Sequence, residues 1–424
     1  MGLPDLPPPP GWKWTALSDI AVLESGHTPS RKHPEYWDGE IPWIGLKDAI
    51  DHHGGVISDT YQHVTDLGLA HSSARLLPKN TVCLSRTASI GYVVVMGRPM
   101  STSQDFVNWV CGPEIDPHFL KYVLLAEHET FSRFASGTTH QTIYYPEAKA
   151  FHVCLPPLAQ QKAIAHILGS LDDKIELNRQ MNETLEAMAR AIFKSWFVVF
   201  DPVRAKAEGK PPAGMDAETA ALFPDGFDEI DGREVPRGWK VKPLDTIAVF
   251  LNGLALQKYP AESEEEYLPV IKIAQMHKCD TEGSDKASVD IPPEYIVDDG
   301  DVLFSWSGSL EVIFWCGGKG ALNQHLFKVS SETFPKWFYY YWVLHHLPDF
   351  QLIAEGKATT MGHIQRHHLS EAMVLVPSPE LMDQMDNVMT PLVKKNISNR
   401  IESRTLAKIR DALLPKLMNG NITI

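Results

Sequence analysis

The sequence holds no paired cysteines. Its five, Cys83, Cys111, Cys154, Cys279 and Cys316, stand singly along 424 residues, with no CxxC and no cysteine–histidine ladder. Such spacing indicates neither a zinc module nor a disulfide framework, and a reducing compartment is the simplest setting. Apolar runs long enough to span a membrane, about 18 residues or more, are absent. Residues 1–10 lack the basic start and apolar centre of a signal helix and end in four consecutive prolines, so we expect a cytoplasmic protein without a membrane partner. Positive charge is scarce too. The 39 Lys+Arg against 53 Asp+Glu leave a net charge of −14, which argues against gripping a polyanion by bulk charge alone. With 44% hydrophobic and 22% charged residues, the chain is neither disordered nor low in complexity.

Catalytic signatures are missing as well. No GxxxxGKS/T, HExxH, GxSxG or dinucleotide fingerprint occurs, and Gly317-Gly318-Lys319-Gly320 lacks the phosphate-loop spacing and hydroxyl. Phe200-Asp201-Pro202-Val203 lacks the second proline and the aromatic of an amino-methyltransferase motif. Asp172-Asp173-Lys174 reads as a solvated charge cluster on a helix rather than a nuclease metal site. The pairs His52-His53, His345-His346 and His367-His368 could ligate a metal, but adjacent side chains on a helix or strand point apart, so none is assigned. No catalytic residue is nominated.

What is present is a second copy of the chain's own pattern. Gly11-Trp12-Lys13, Leu17, Ile20-Ala21-Val22 and Gly26 return as Gly238-Trp239-Lys240, Leu244, Ile247-Ala248-Val249 and Gly253, an offset of 238 − 11 = 227. Asn80 to Ser85 resembles Gly300 to Ser305 at 302 − 82 = 220. Thr138-Thr139, Ile143, Pro156 and Asn178-Arg179 match Thr359-Thr360, Ile364, Pro377 and Asn399-Arg400 at 399 − 178 = 221. Collinear agreement at several motifs marks a duplication.

Each copy divides in two. Residues 11–157 and 238–378 alternate short strand-like runs with Gly, Pro, Asp and Asn and brief helical pieces at 117–130 and 335–347, a mixed domain. Residues 158–197 and 379–418 each read as one long helix. In the first, Ile164, Leu168, Leu171, Ile175, Asn178, Asn182, Leu185, Ala189, Ile192 and Trp196 recur at spacings of four and three, a coiled-coil seam. The second offers Met385, Met389, Leu392, Asn396, Asn399, Ser403, Leu406, Arg410, Leu413 and Leu417, with Pro391 and Pro415 expected to kink or shorten it. Neither helix buries its stripe alone, so they are expected to pair, Asn178 opposite Asn399. The pattern itself fits parallel and antiparallel pairing alike. An antiparallel pair about 60 Å long would hold two similar domains apart, turned end for end. Residues 198–237, rich in Pro, Gly, Ala and acids, read as a linker or irregular cover; 1–10 and 419–424 read as tails.

The framework resembles the specificity subunit of type I restriction–modification systems. The residues carrying this are the two Gly-Trp-Lys openings, Leu155-Pro156-Pro157-Leu158-Ala159-Gln160-Gln161-Lys162-Ala163-Ile164, Leu171-Asp172-Asp173-Lys174-Ile175 with Asn178, and Leu413-Leu414-Pro415-Lys416-Leu417-Met418-Asn419-Gly420. Val376-Pro377-Ser378-Pro379-Glu380-Leu381-Met382 departs from the usual entry to the second helix. The resemblance implies an α+β chain: two mixed target-recognition domains joined by two long helices as an antiparallel coiled-coil spacer. It further implies a non-catalytic subunit whose domains each read half of a bipartite double-stranded DNA target. Two methyltransferase subunits would dock on the helices and motor–nuclease subunits would join them. S-adenosylmethionine, ATP and magnesium would belong to those partners, with no cofactor in this chain.

Residues 11–157 carry 11 basic against 15 acidic residues and 238–378 carry 11 against 18, or −4 and −7. Neither domain has the basic footprint of a free-standing DNA binder. The helical segments 158–210 and 379–424 come to 8 − 7 = +1 and 7 − 5 = +2, so phosphate neutralisation is expected to come mainly from the partners.

Base edges are read by Arg, Lys, Asn, Gln, Ser and Thr on loops. In the first copy the candidates are Lys47, then Ser85, Arg86, Thr87 and Ser89, then Thr138, Thr139, His140 and Gln141. In the second they are Lys272, then Ser305, Ser307 and Ser309, then Lys357, Thr359, Thr360 and His363. Arg86 and Lys357 lead. Arg31, Lys32 and Lys258 are expected at phosphates, and Trp37, Trp43, Trp306 and Trp315 in cores rather than against unpaired bases. Two other classes compete: a duplicated-domain scaffold that never reads DNA, which the acidic balance favours, and an enzyme such as a nuclease, which the missing carboxylate–lysine constellation disfavours.

Overall fold

The computed structural model describes residues 7–127, 131, 142–356 and 362–422. They form two compact units, Met1–Ile175 with Leu406–Ile424, and Glu176–Thr405.

In the first unit the strand Lys13–Ala16 pairs antiparallel with His152–Leu155, so the Gly-Trp-Lys opening and the Leu-Pro-Pro entry form one ribbon. Beside it a five-stranded sheet runs in the order Ala21–Ser25, Phe106–Cys111, Val82–Ser85, Val93–Met96, Val56–Ile57, antiparallel except for its last, parallel pair. Val82–Ser85 and Val93–Met96 are buried throughout, which is why Val82–Leu84 and Val93–Met96 read as apolar runs without alternation. A helix, Pro117–Ala126, lies against this sheet. Asp116 starts it by accepting from the His118 and Phe119 N–H groups at 3.0 Å, and proline at the first position loses no needed donor. A three-stranded sheet of Gln62–Val64, Trp37–Ile44 and Ser101–Thr102 completes the unit.

The second unit repeats the plan. Lys240–Pro243 pairs with Met373–Val376, and a sheet of Val249–Asn252, Leu326–Ser330, Val302–Ser305 and Val312–Phe314 has the same order as the first four strands above. A second four-stranded sheet has Leu268–Ile271 and Gly320–Leu322 at its centre. The helix Lys336–Glu355 buries six consecutive aromatics, Trp337 to Trp342. Phe197 meets Trp337, Phe338 and Trp342 with ring centroids 5.6–6.0 Å apart, and such pairs contribute about 0.5–1.5 kcal/mol each beyond their area.

Residues 198–237 are folded, not a bare linker. They form the helices Asp201–Ala207 and Ala217–Leu222 and the hairpin Phe227–Ile230/Arg233–Pro236. Phe200, Val203, Phe223 and Val235 enter the same core as Trp239 and Trp337.

The first long helix is α-helical over Leu158–Phe193 and widens to a π-helical turn at Lys194–Val199. Phe200, at φ 61° in the left-handed region, stops it. The second runs unbroken from Pro379 to Met418, so Pro391 and Pro415 do not shorten it. Both prolines are exposed, where water can take the place of each missing donor. Within the first unit, Ile164 and Leu168 share a core with Leu417, Leu413 packs on that core, and Asp172 meets Arg410. Within the second, Asn178 meets residues 399–403 and Asn182 meets 396–399. In each unit one residue number rises as the other falls, so the helices pair antiparallel. Leu171, Ile175, Leu185, Ile192, Leu392 and Leu406 are half-buried, and Asn178 and Asn399 are fully buried.

Asp172 is not solvated. Its carboxylate accepts from Lys121 Nζ at 3.1 Å, Tyr122 OH at 2.5 Å and Arg410 Nη1 at 2.9 Å. Burial lowers the Lys121 pKa and raises that of Tyr122.

Candidate nucleic-acid interface

Three segments meet at the same place in each unit, and they are the three that recur at offsets 227, 220 and 221. The first carries a glycine. Gly26 and His27 donate backbone bonds to the Phe106 and Thr102 carbonyls at 3.5 and 2.9 Å; Gly253 and Leu254 donate to Leu326 and Leu322, both at 3.0 Å. A side chain at Gly26 would collide with the Ser103 carbonyl, and one at Gly253 with that of Asn323. Only glycine permits this approach.

The second segment is a hairpin turn latched by serine. Ser85 Oγ donates to the Ser89 carbonyl at 2.7 Å and accepts from the Tyr92 N–H at 2.8 Å. Ser305 Oγ donates to the Ser309 carbonyl at 2.7 Å and accepts from the Glu311 N–H at 2.8 Å. The third segment crosses this turn. Thr87 bridges Thr142, and Ser307 bridges His363. The Ile143 N–H reaches the Arg86 carbonyl at 2.9 Å, and the Ile364 N–H reaches that of Trp306 at 3.0 Å.

Ser85 and Ser305 are therefore buried latches whose hydroxyls are engaged within the turn, not surface donors. Arg86 is half-buried, with Nε on the Gln104 carbonyl at 3.2 Å and Nη1 on that of Ile143 at 3.5 Å, so it clamps two segments together. Thr87 Oγ1 donates to Asp105 at 2.7 Å, and Ser307 Oγ lies 3.0 Å from His325 Nδ1. Ser89 and His363 are half-buried beside them, and Ser309 is exposed. Thr138, Thr139, His140, Gln141, Lys357, Thr359 and Thr360 lie outside the described residues.

The remaining cations make contacts of their own. Arg31 is exposed; its guanidinium lies 3.7 Å over the Trp37 ring and donates to Gln62 at 2.7 Å. Lys32 and Lys258 are exposed, Lys47 sits 3.9 Å over the Tyr61 ring, and Lys272 is paired with Asp285. His367 and His368 do not point apart: their ligand atoms and that of Glu371 lie within 4.8 Å of one another. Their closeness comes from a six-residue helix, Arg366–Glu371, where His368 Nδ1 also receives the Gln365 N–H at 3.0 Å.

Sequence reasoning missed Thr28, Gln104 and Asp105 in the first unit and Asn252, Gln324 and His325 in the second. Thr28 Oγ1 bonds the Gln104 amide, and Trp306 Nε1 donates to Asn252 at 2.9 Å. One signal was available: Gln104 and Gln324 coincide at the 220-residue offset already fixed by Ser85 and Ser305.

A duplicated loop cluster on a duplicated α+β frame, closed by antiparallel helices, defines a class of paired recognition domains. Residues 9–187 and 236–404 both match the type I restriction modification DNA specificity domain. Over 98% of its length, the chain is 27% identical to the MjaIX specificity subunit of Methanocaldococcus jannaschii, covering 94% of that protein. It is 31% identical to the HindI specificity subunit of Haemophilus influenzae, over 77% of this chain and 84% of that one. The S subunit of the type I system of M. genitalium shares the fold, with a TM-score of 0.62 at 16% identity over 98% of this chain and 99% of that one. The chain belongs to the type I restriction–modification DNA specificity family, as a non-catalytic specificity subunit. Among the described residues, no helix is long and apolar enough to cross a membrane.

Proposed function

We propose that each unit reads one half of a bipartite double-stranded DNA target, and that the paired helices set the gap between halves and dock two adenine methyltransferase subunits. The observation that carries this is the repeated loop cluster: one backbone scaffold built twice, bearing Arg86 and Asp105 in one copy and Trp306 and His325 in the other. One frame with different side chains suits two different half-sites. Motor–nuclease subunits join this core, bringing ATP and magnesium, while the methyltransferases bring S-adenosylmethionine. The complex works in the cytoplasm.

Charges of −4 and −7 on residues 11–157 and 238–378 mean that this chain alone binds DNA weakly and gains phosphate contacts from its partners. The test is nuclease protection of a random duplex library by the assembled methyltransferase–specificity complex. Enrichment of one split motif supports the reading; protection without sequence preference leaves the scaffold reading in its place.

A further inference from the structure

The two copies have diverged at almost every side chain of the loop cluster, and the exceptions are informative. Between residues 85–92 and 305–312, and between 101–106 and 321–326, the identities at offset 220 are Ser85/Ser305, Ser89/Ser309 and Gln104/Gln324. Of the serines, the Ser85/Ser305 identity is accounted for by its side chain, whereas the carbonyl that Ser89 and Ser309 contribute comes with any residue. Ser85 and Ser305 latch the turn through their hydroxyls, and Ser89 and Ser309 receive those latches on their carbonyls.

The glutamines have no such duty. Gln104 is exposed and Gln324 half-buried, while their neighbours at 103 and 106, and at 323 and 326, are buried. The backbone beneath each amide is held by the same bonds, from Ser103 N–H to the Ile44 carbonyl at 3.0 Å and from Asn323 N–H to that of Ile271 at 3.2 Å. Each amide is oriented by a different neighbour: Thr28 Oγ1 bonds Gln104, and His325 Nε2 lies 3.4 Å from Gln324 Nε2. His325 is in turn tied to Ser307. Scaffold and residue are kept while the orienting partners are replaced, as expected when the amide itself is what must be retained.

Resting on the two-reader function above, we propose that Gln104 and Gln324 are base-reading residues, each recognising an adenine in the major groove of its own half-site. A glutamine amide matches adenine in two bonds, donating from Nε2 to N7 and accepting from N6 on Oε1. The Thr28 bond is compatible, because Oε1 has a second lone pair for the base. Positions that differ around this constant, Arg86 against Trp306 and Asp105 against His325, make the rest of each half-site different.

The experiment maps methylated adenines in cells expressing the full chain with its methyltransferase, unchanged or as Q104A, Q324A, Q104E or Q324E. Q104A is expected to relax one position of one half-site by about tenfold to a hundredfold, and Q324A one position of the other. Glutamate accepts but does not donate, so the Q→E variants shift the relaxed position towards cytosine, which a merely structural role would not do. Unaltered base strictness in all four variants overturns the proposal, and so does a uniform loss of methylation across every sequence. An unchanged chain that methylates without a bipartite motif refutes the two-reader function itself, before any variant is compared.

Discussion

The side-chain amide of Asn399 donates to the side-chain carbonyl of Asn182 at 3.0 Å, in the buried face where the two long helices of the second unit meet. Asn178, the duplicate of Asn399, lies fully buried and donates to Glu402 at 2.9 Å and Ser403 at 3.3 Å. Polar ladders of this kind fix which residues face each other, because a slip of one turn leaves amides and carboxylate without partners.

Asn178→Leu follows directly. It removes the donor to Glu402 and Ser403, and the chain should lose about 1–3 kcal/mol in urea unfolding. A midpoint equal to or above that of the unchanged chain would contradict a register role.

A larger effect is expected at Asp172, which holds Lys121, with a side chain 5% exposed, together with Tyr122 and Arg410. Asp172→Ala strands the lysine charge in a desolvated site and should cost about 3 kcal/mol, part of it recovered by adding Lys121→Met. Additive losses in that double-mutant cycle would show that the two side chains are not coupled.

His345 and His346 give a pH dependence. Burial holds both below their ordinary 6.5, and His346 Nε2 is 3.0 Å from the Met373 carbonyl. Below pH 6.5 the unfolded chain binds protons that the folded chain refuses, so stability is full above that pH and falls on acidification. Replacing both with glutamine should shrink the drop in melting temperature between about pH 7.5 and about pH 5.5, with most of the effect from the half-buried His346. An unchanged drop would remove these histidines from the account.

Arg31 tests the division between phosphate and base contacts. Arg31→Ala should weaken binding by the assembled complex equally on all sequences and lower the slope of affinity against salt by about 1. Loss confined to one base position would make it a reader.

The duplication and the helix seam were legible because both are periodic, and period survives divergence: Ile164, Leu168 and Leu417 keep their spacing and their burial. The folded 198–237 segment was not legible, since Phe200, Val203, Phe223 and Val235 follow no period and sit among prolines, glycines and acids. Asp172 looked solvated because its partners Lys121 and Arg410 are remote in sequence. Cysteines that stand singly in sequence also meet, for the Cys316 N–H donates to Cys279 Sγ at 3.3 Å across 37 residues. Ser85 and Arg86 are polar loop residues by type, and type does not distinguish a latch or a clamp from a surface donor.

The central claim, two readers on one chain, is tested most directly by co-expressing this chain with an adenine methyltransferase subunit of a type I system that forms a complex with it, and mapping methylated adenines by single-molecule sequencing. The account predicts one bipartite motif of fixed gap with one methylated adenine on each strand. Methylation of a continuous palindrome, or none from a stable complex, would contradict it.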